Sequence, residues 1–214
     1  MPRSMLVTLL VVVLTECGAV AVPDRFVPAS YVSGELPAAP ALAVSGGEVF
    51  LEVLVTNEGR VDSIRTLRTT PPFTDAVITA VRDWRFTPAE AGGPVASPVF
   101  VAAMFTSPAL NGPTLGASPT DVARPSDETP LPIVEHPAAY PLRGVGDGTV
   151  LVEVTIDVAD ALTEAHVVVS SPAFDAAAVA AAKSWSFVDA RREGNVVTTH
   201  AYLLFGFQQP VIGR

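Results

Sequence analysis

Apolar and polar positions alternate in two stretches of this chain. Val49, Leu51, Val53 and Val55 fall on one side of an extended backbone, with Glu52 and Thr56 on the other. Val150, Val152, Val154 and Ile156 repeat the arrangement against Glu153, Thr155 and Asp157. A period of two with one polar side predicts a half-buried strand whose outer face meets water. Asn57-Glu58-Gly59 predicts a hairpin turn after the first, and Val158-Ala159-Asp160 a weaker one after the second. The strands that follow, Val61 to Leu67 and Leu162 to Val169, alternate imperfectly, which predicts a bulge in each.

The period then changes. Phe73, Val77, Val81 and Trp84 are spaced i, i+4, i+8 and i+11 with Ala80 on the same face, and Phe174, Ala178, Ala182 and Trp185 match them. That stripe predicts a helix packed on the sheet, with Trp84 and Trp185 as core residues. Thr70-Pro71 and Ser171-Pro172 predict a hydroxyl at the cap and proline at the first helical position. Gly92-Gly93 and Glu193-Gly194 lead to last strands at Val95 to Phe105 and Val196 to Phe207.

The two halves are one pattern written twice. Gly47, Glu52, Pro71, Phe73, Trp84, Phe86 and Gly93 recur 101 positions later as Gly148, Glu153, Pro172, Phe174, Trp185, Phe187 and Gly194. The fold class expected is α+β: two tandem modules, each a three-stranded antiparallel sheet packed by one helix in the order strand–strand–helix–strand. The expected organisation is a signal peptide at 1–21, an extended lead-in at 22–46, module one at 47–106, a Pro-rich linker at 107–137 and module two at 138–208. Pro108, Pro113, Pro119, Pro125, Pro130, Pro132 and Pro137 exclude a helix or a central strand from that linker.

Composition narrows the function. A net charge of −9 and a pI near 4.7 exclude nucleic acid as a partner, since phosphate neutralisation needs clustered Lys and Arg. Arg3, the apolar run Met5 to Leu14 and Ala19-Val20-Ala21 have the layout of an export signal with its cleavage site. The expected location is therefore the periplasm. The alternative is an uncleaved anchor in the inner membrane facing the periplasm, with Glu16 interrupting the apolar stretch. A lipid on Cys17 would need a smaller residue than Glu16 before it.

Taken together, the residues resemble the C-terminal domain of TonB-type energy transducers. In module one the resemblance rests on Gly47-Glu48-Val49, Asn57-Glu58-Gly59, Pro72-Phe73 and Trp84-Arg85-Phe86-Thr87-Pro88-Ala89. In module two it rests on Tyr140-Pro141, Gly148-Thr149-Val150, the run from Ser170 to Ala177, and Trp185-Ser186-Phe187. The resemblance implies a periplasmic domain that captures an extended segment of an outer-membrane or periplasmic protein by adding it to the last strand. Main-chain bonds then supply affinity and side-chain pockets supply choice.

Pro98 removes a donor from the last strand of module one, whereas module two has none there. The peptide-binding edge is accordingly assigned to Asn195, Val196, Val197, Thr198, Thr199, His200, Ala201, Tyr202, Leu203, Leu204 and Phe205, with Tyr140 and Pro141 as the family's tyrosine–proline element.

No catalytic residue, cofactor or metal site is expected. His136, His166 and His200 lack ligand spacing, no nucleophile elbow or phosphate loop occurs, and Glu52 and Glu153 each stand alone on an outer strand face. Three functions stay open. One is a peptide-binding adaptor; the second is a membrane-anchored energy transducer. The third is a structural tandem whose last strands pair with each other, because an uncovered hydrophobic edge is a liability. Homodimerisation through the same edges would cover them equally well.

Overall fold

The computed structural model describes residues 25–40, 43, 45–108, 123–157 and 162–210; the expected signal peptide and the Val158-Ala159-Asp160 turn lie outside them. In chain order the elements are β1 (Ser30–Ser33), β2 (Gly47–Val55), β3 (Val61–Arg68), α1 (Phe73–Arg82), β4 (Arg85–Thr87), β5 (Ala89–Glu90), β6 (Pro94–Val95) and β7 (Ser97–Phe105). The second half gives β8 (Leu131–Val134), β9 (Gly148–Ile156), β10 (Leu162–Val169), α2 (Asp175–Ala182), β11 (Ser186–Val188), β12 (Arg191–Arg192), β13 (Asn195–Val196) and β14 (Thr199–Phe207). The protein is α+β and mostly antiparallel, as the sequence predicts.

The principal sheet has six strands in the order β10-β9-β14-β7-β2-β3. Each half contributes three antiparallel strands, and the halves join where β7 and β14 run parallel. Both second strands carry the expected register shifts, at Phe50/Leu51 and Leu54/Val55 against β3 and at Leu162/Glu164 and Val167/Val169 in β10. In the hairpin between β2 and β3, Gly59 has φ +76°, and a Cβ there would sit 1.8 Å from the Phe86 carbonyl oxygen.

The helix stripes do what their spacing predicts. Phe73, Val77, Val81 and Trp84 are fully buried, and Phe174, Ala178, Ala182 and Trp185 nearly so. The caps differ from expectation. Both prolines of Pro71-Pro72 lie in a turn before α1, and no side chain caps either helix. The Thr70 hydroxyl instead donates to the Glu48 carbonyl at 2.7 Å, tying the turn to β2, and Asp175 accepts from the Ser171 amide at 2.8 Å.

The two helices lie on opposite faces of the sheet. Under α1 pack Val49, Leu51, Val53, Val99, Val101 and Ala103, joined by Leu151, Tyr202 and Leu204 of the other half. Under α2 pack Val150, Val152, Val154, Ala201, Leu203 and Phe205, joined by Phe50, Phe100, Ala102 and Met104. Neither half has a core of its own. Equivalent residues of β7 and β14 point to opposite faces, so neighbours across the parallel seam must be offset by one residue. Accordingly Tyr202, the counterpart of Phe100, sits beside Val101. The seam closes tightly at Gly206, where a Cβ would lie 2.3 Å from the Phe105 ring.

This arrangement overturns the expectation that the outer strand faces are solvated. In β2 every residue but Leu54 is buried, and Glu48, Glu52 and Glu153 are all covered. The covering comes from the Pro-rich stretches. β1 pairs with β4 and β8 with β11, and each stretch then crosses the outer face of the opposite half. Trp84 Nε1 donates to the Glu35 carbonyl at 3.0 Å, and Trp185 Nε1 to that of His136 at 2.9 Å. The 101-residue offset thus extends into segments that the sequence presents as spacers.

Candidate functional site

The segment assigned to peptide capture is divided by the fold. Asn195 and Val196 form β13 in a small hairpin with β12, and the Val197 amide donates to the Ala190 carbonyl at 3.1 Å. The Thr198 hydroxyl donates to Asp157 at 3.0 Å. Thr199 through Phe207 form β14, with β9 on one side and β7 on the other. The expected free edge at Ala201, Tyr202, Leu203, Leu204 and Phe205 is therefore not found, because the equivalent strand of module one occupies it; His200 precedes that ladder, with its Nδ1 3.1 Å from the Ala29 carbonyl oxygen.

Tyr140 and Pro141 stand apart from that edge. The Tyr140 ring meets Phe174 edge-on at 5.5 Å, its hydroxyl donates to the Gly146 carbonyl at 2.8 Å, and the Pro141 carbonyl accepts from the Gly144 amide.

The last strands themselves carried the signal for this outcome. Val99 to Phe105 and Ala201 to Phe205 are unbroken apolar runs, the pattern of strands buried on both faces.

The sheet's outer edges are β3 and β10. At the far end of β3, the Leu67 carbonyl already accepts from the Ala123 amide at 3.0 Å. Among the described residues nothing pairs with the outer side of its first half, and on the sheet face over β3, β2 and β7 lies a groove of about 460 Å³ lined by Leu54, Ser63, Arg65, Pro98, Glu128 and Arg192. Arg65 Nη2 lies 2.6 Å from Glu52, and Arg192 Nη1 2.9 Å from Glu128. The groove therefore offers paired charges of both signs.

The two repeat-related carboxylates are anchors for the crossing segments. Glu52 Oε1 accepts from the Ser126 amide at 2.7 Å, from the Thr129 hydroxyl at 2.7 Å and from the Ser126 hydroxyl, while Oε2 takes Arg65. Burial pushes this carboxyl up, but those donors outweigh it and hold it below its ordinary range. Glu48 goes the other way: burial raises it, although Arg68 bridges it to Glu135 and lies 4.0 Å over the Phe50 ring.

Glu153 accepts from the Tyr202 hydroxyl at 2.8 Å. That hydroxyl also accepts from the Tyr31 amide at 2.9 Å. Burial first, then the neighbouring carboxylate, push the Tyr202 phenol far above its usual range.

His166 Nε2 and His200 Nδ1 approach the two oxygens of Glu153 at 3.4 and 3.8 Å. Sequence spacing hides this cluster, since it is assembled by strand pairing across β10, β9 and β14. His136 contributes only its carbonyl, to Trp185. Among the described residues, no group of three or more His, Cys, Asp or Glu could hold a metal ion, and no helix is long and apolar enough to cross a membrane.

These features define a two-fold repeated strand–helix fold, and comparison with known families agrees. Residues 36–106 and 143–208 each match the Gram-negative bacterial TonB protein C-terminal family. The chain belongs to that family, as a tandem pair of its domains. No match to a curated protein is found.

Proposed function

We propose that the chain is a periplasmic, non-enzymatic interaction module that takes an extended segment of an envelope protein, such as an outer-membrane transporter, by strand addition at β3. The observation that carries this reading is the mutual pairing of β7 and β14. With both flanks of each last strand paired over Ala201–Gly206 and Phe100–Phe105, the edges that the six-stranded sheet leaves for a partner among the described residues are its outer strands, β3 and β10. Opening the seam instead would expose Phe100, Met104, Tyr202 and Leu204, all at 2 % or less of full exposure. Each such side chain costs about 1.5–3 kcal/mol to return to water, more than an added strand could recover. Of the outer edges, β3 has the groove beside it, so ladder bonds would give affinity while Arg65, Glu128 and Arg192 select the side chain that enters.

A photo-crosslinking residue placed at Ser63 and, separately, at Ala201 tests this in cells. The expected result is a covalent adduct with another envelope protein from position 63 and none from 201. An adduct from 201, or none from 63, overturns the assignment.

A further inference from the structure

We propose that β10 is a homodimerisation edge, pairing antiparallel with β10 of a second copy to form a twelve-stranded sheet. The proposal is independent of what binds β3. Proteins usually blunt a free edge with Lys, Pro or a covering segment. Neither outer strand contains Lys or Pro, but β3 is bonded by the Ala123 amide, whereas among the described residues only β9 bonds to the backbone of β10 (Leu162–Val169), which ends in three valines.

The pattern of β10 is complementary to itself. Leu162, Ala165 and Val167 pack toward the α2 core, while Glu164 and His166 stand exposed on the other face opposite Thr155 and Glu153. A two-fold axis perpendicular to the sheet pairs residues that share a face. With Ala165 on the axis, Glu164 of each copy lies directly opposite His166 of the other, giving two cross-strand carboxylate–imidazole pairs. The corresponding alignment of β3 that brings Asp62 to Arg68 sets Arg65 against Arg65.

The helix layer fits the same axis. α2 packs over β9 and β10, so its symmetry mate would lie two strand spacings away, about 9.5 Å. That distance falls within the roughly 8–10 Å at which helices pack. The second copy is thus accommodated on the sheet and on the helix layer at once.

Sedimentation of the purified protein over a range of concentrations, with Glu164→Lys as the variant, tests the proposal. Glu164 is exposed, so the fold is expected to persist. A concentration-dependent dimer is expected, with a dissociation constant raised about tenfold in the variant by the loss of both cross-strand pairs. Ala165→Cys in a Cys17→Ser background should oxidise to a cross-linked dimer, whereas Ile64→Cys should not. A protein that stays monomeric, a dimer indifferent to Glu164→Lys, or cross-linking at 64 rather than 165 would each refute it.

Discussion

Phe100 sits in a strand of one half and is buried against aromatic residues of both. Its ring lies 5.5 Å from Phe50 of its own half and 6.1 Å from Phe187 of the other, and it has no solvent exposure. Phe100→Ala removes the full side chain from a site closed on all sides, so the cost should be about 3–5 kcal/mol. With a urea dependence of about 2 kcal/mol per M, the midpoint should fall by about 1.5–2.5 M. The informative quantity is which half moves. Trp84 reports on one half and Trp185 on the other. Labelling both as 5-fluorotryptophan gives two fluorine signals without altering the packing by more than one atom each. Because each core contains residues of both halves, the two signals should lose native intensity at one midpoint and shift together in the variant. If Trp84 kept its midpoint while that of Trp185 fell, the halves would be separate domains and the interleaved core would be wrong.

Tyr202→Phe leaves the Glu153 carboxylate without its hydroxyl donor and the Tyr31 amide without its acceptor, at a cost of about 2 kcal/mol. Hydrogen exchange at the Tyr31 amide should quicken by more than the global loss of stability explains; unchanged protection there would refute the anchoring role. Glu52 has a folded pKa below its unfolded value of 4.5, so its contribution is complete above that value and lost as pH falls through the folded one. In Glu52→Gln the acid decline of the urea midpoint below about pH 4.5 should therefore be shallower than in the parent. Equal slopes would mean that Ser126 and Thr129 do not hold the charge.

Periodicity made the local structure legible. The helix stripes, the first strands and the bulges all follow from spacing that the fold respects, and the repeat of Trp84 at Trp185 gave the tandem. Glu52 and Glu153 misled for a physical reason. A carboxylate on an alternating strand normally faces water, and the donors that permit burial here come from Ser126 and Thr129, or from Tyr202, far along the chain. The covering segments were equally opaque. Ser30–Ser33 and Leu131–Val134 are equivalent strands, yet Tyr31 corresponds to Pro132 and Gly34 to Glu135, so their likeness lies in backbone path rather than side-chain type. Pairing of the last strands was one of several arrangements compatible with an uncovered edge, and only the doubly apolar runs favoured it.

The interleaving also dictates an order of assembly. Synthesis delivers β2, β3, α1 and β7 long before β14, and the Gly206 carbonyl that receives the Thr106 amide arrives a hundred residues later. Until then the first half has an open strand and Phe50 and Phe100 uncovered, while its leading segment lacks the surface on which it will rest. A newly made first half therefore waits, incomplete, for nearly the whole of its sibling. During that interval it is most exposed to chaperones and proteases, and a chain truncated just before Thr199 leaves both halves unfinished.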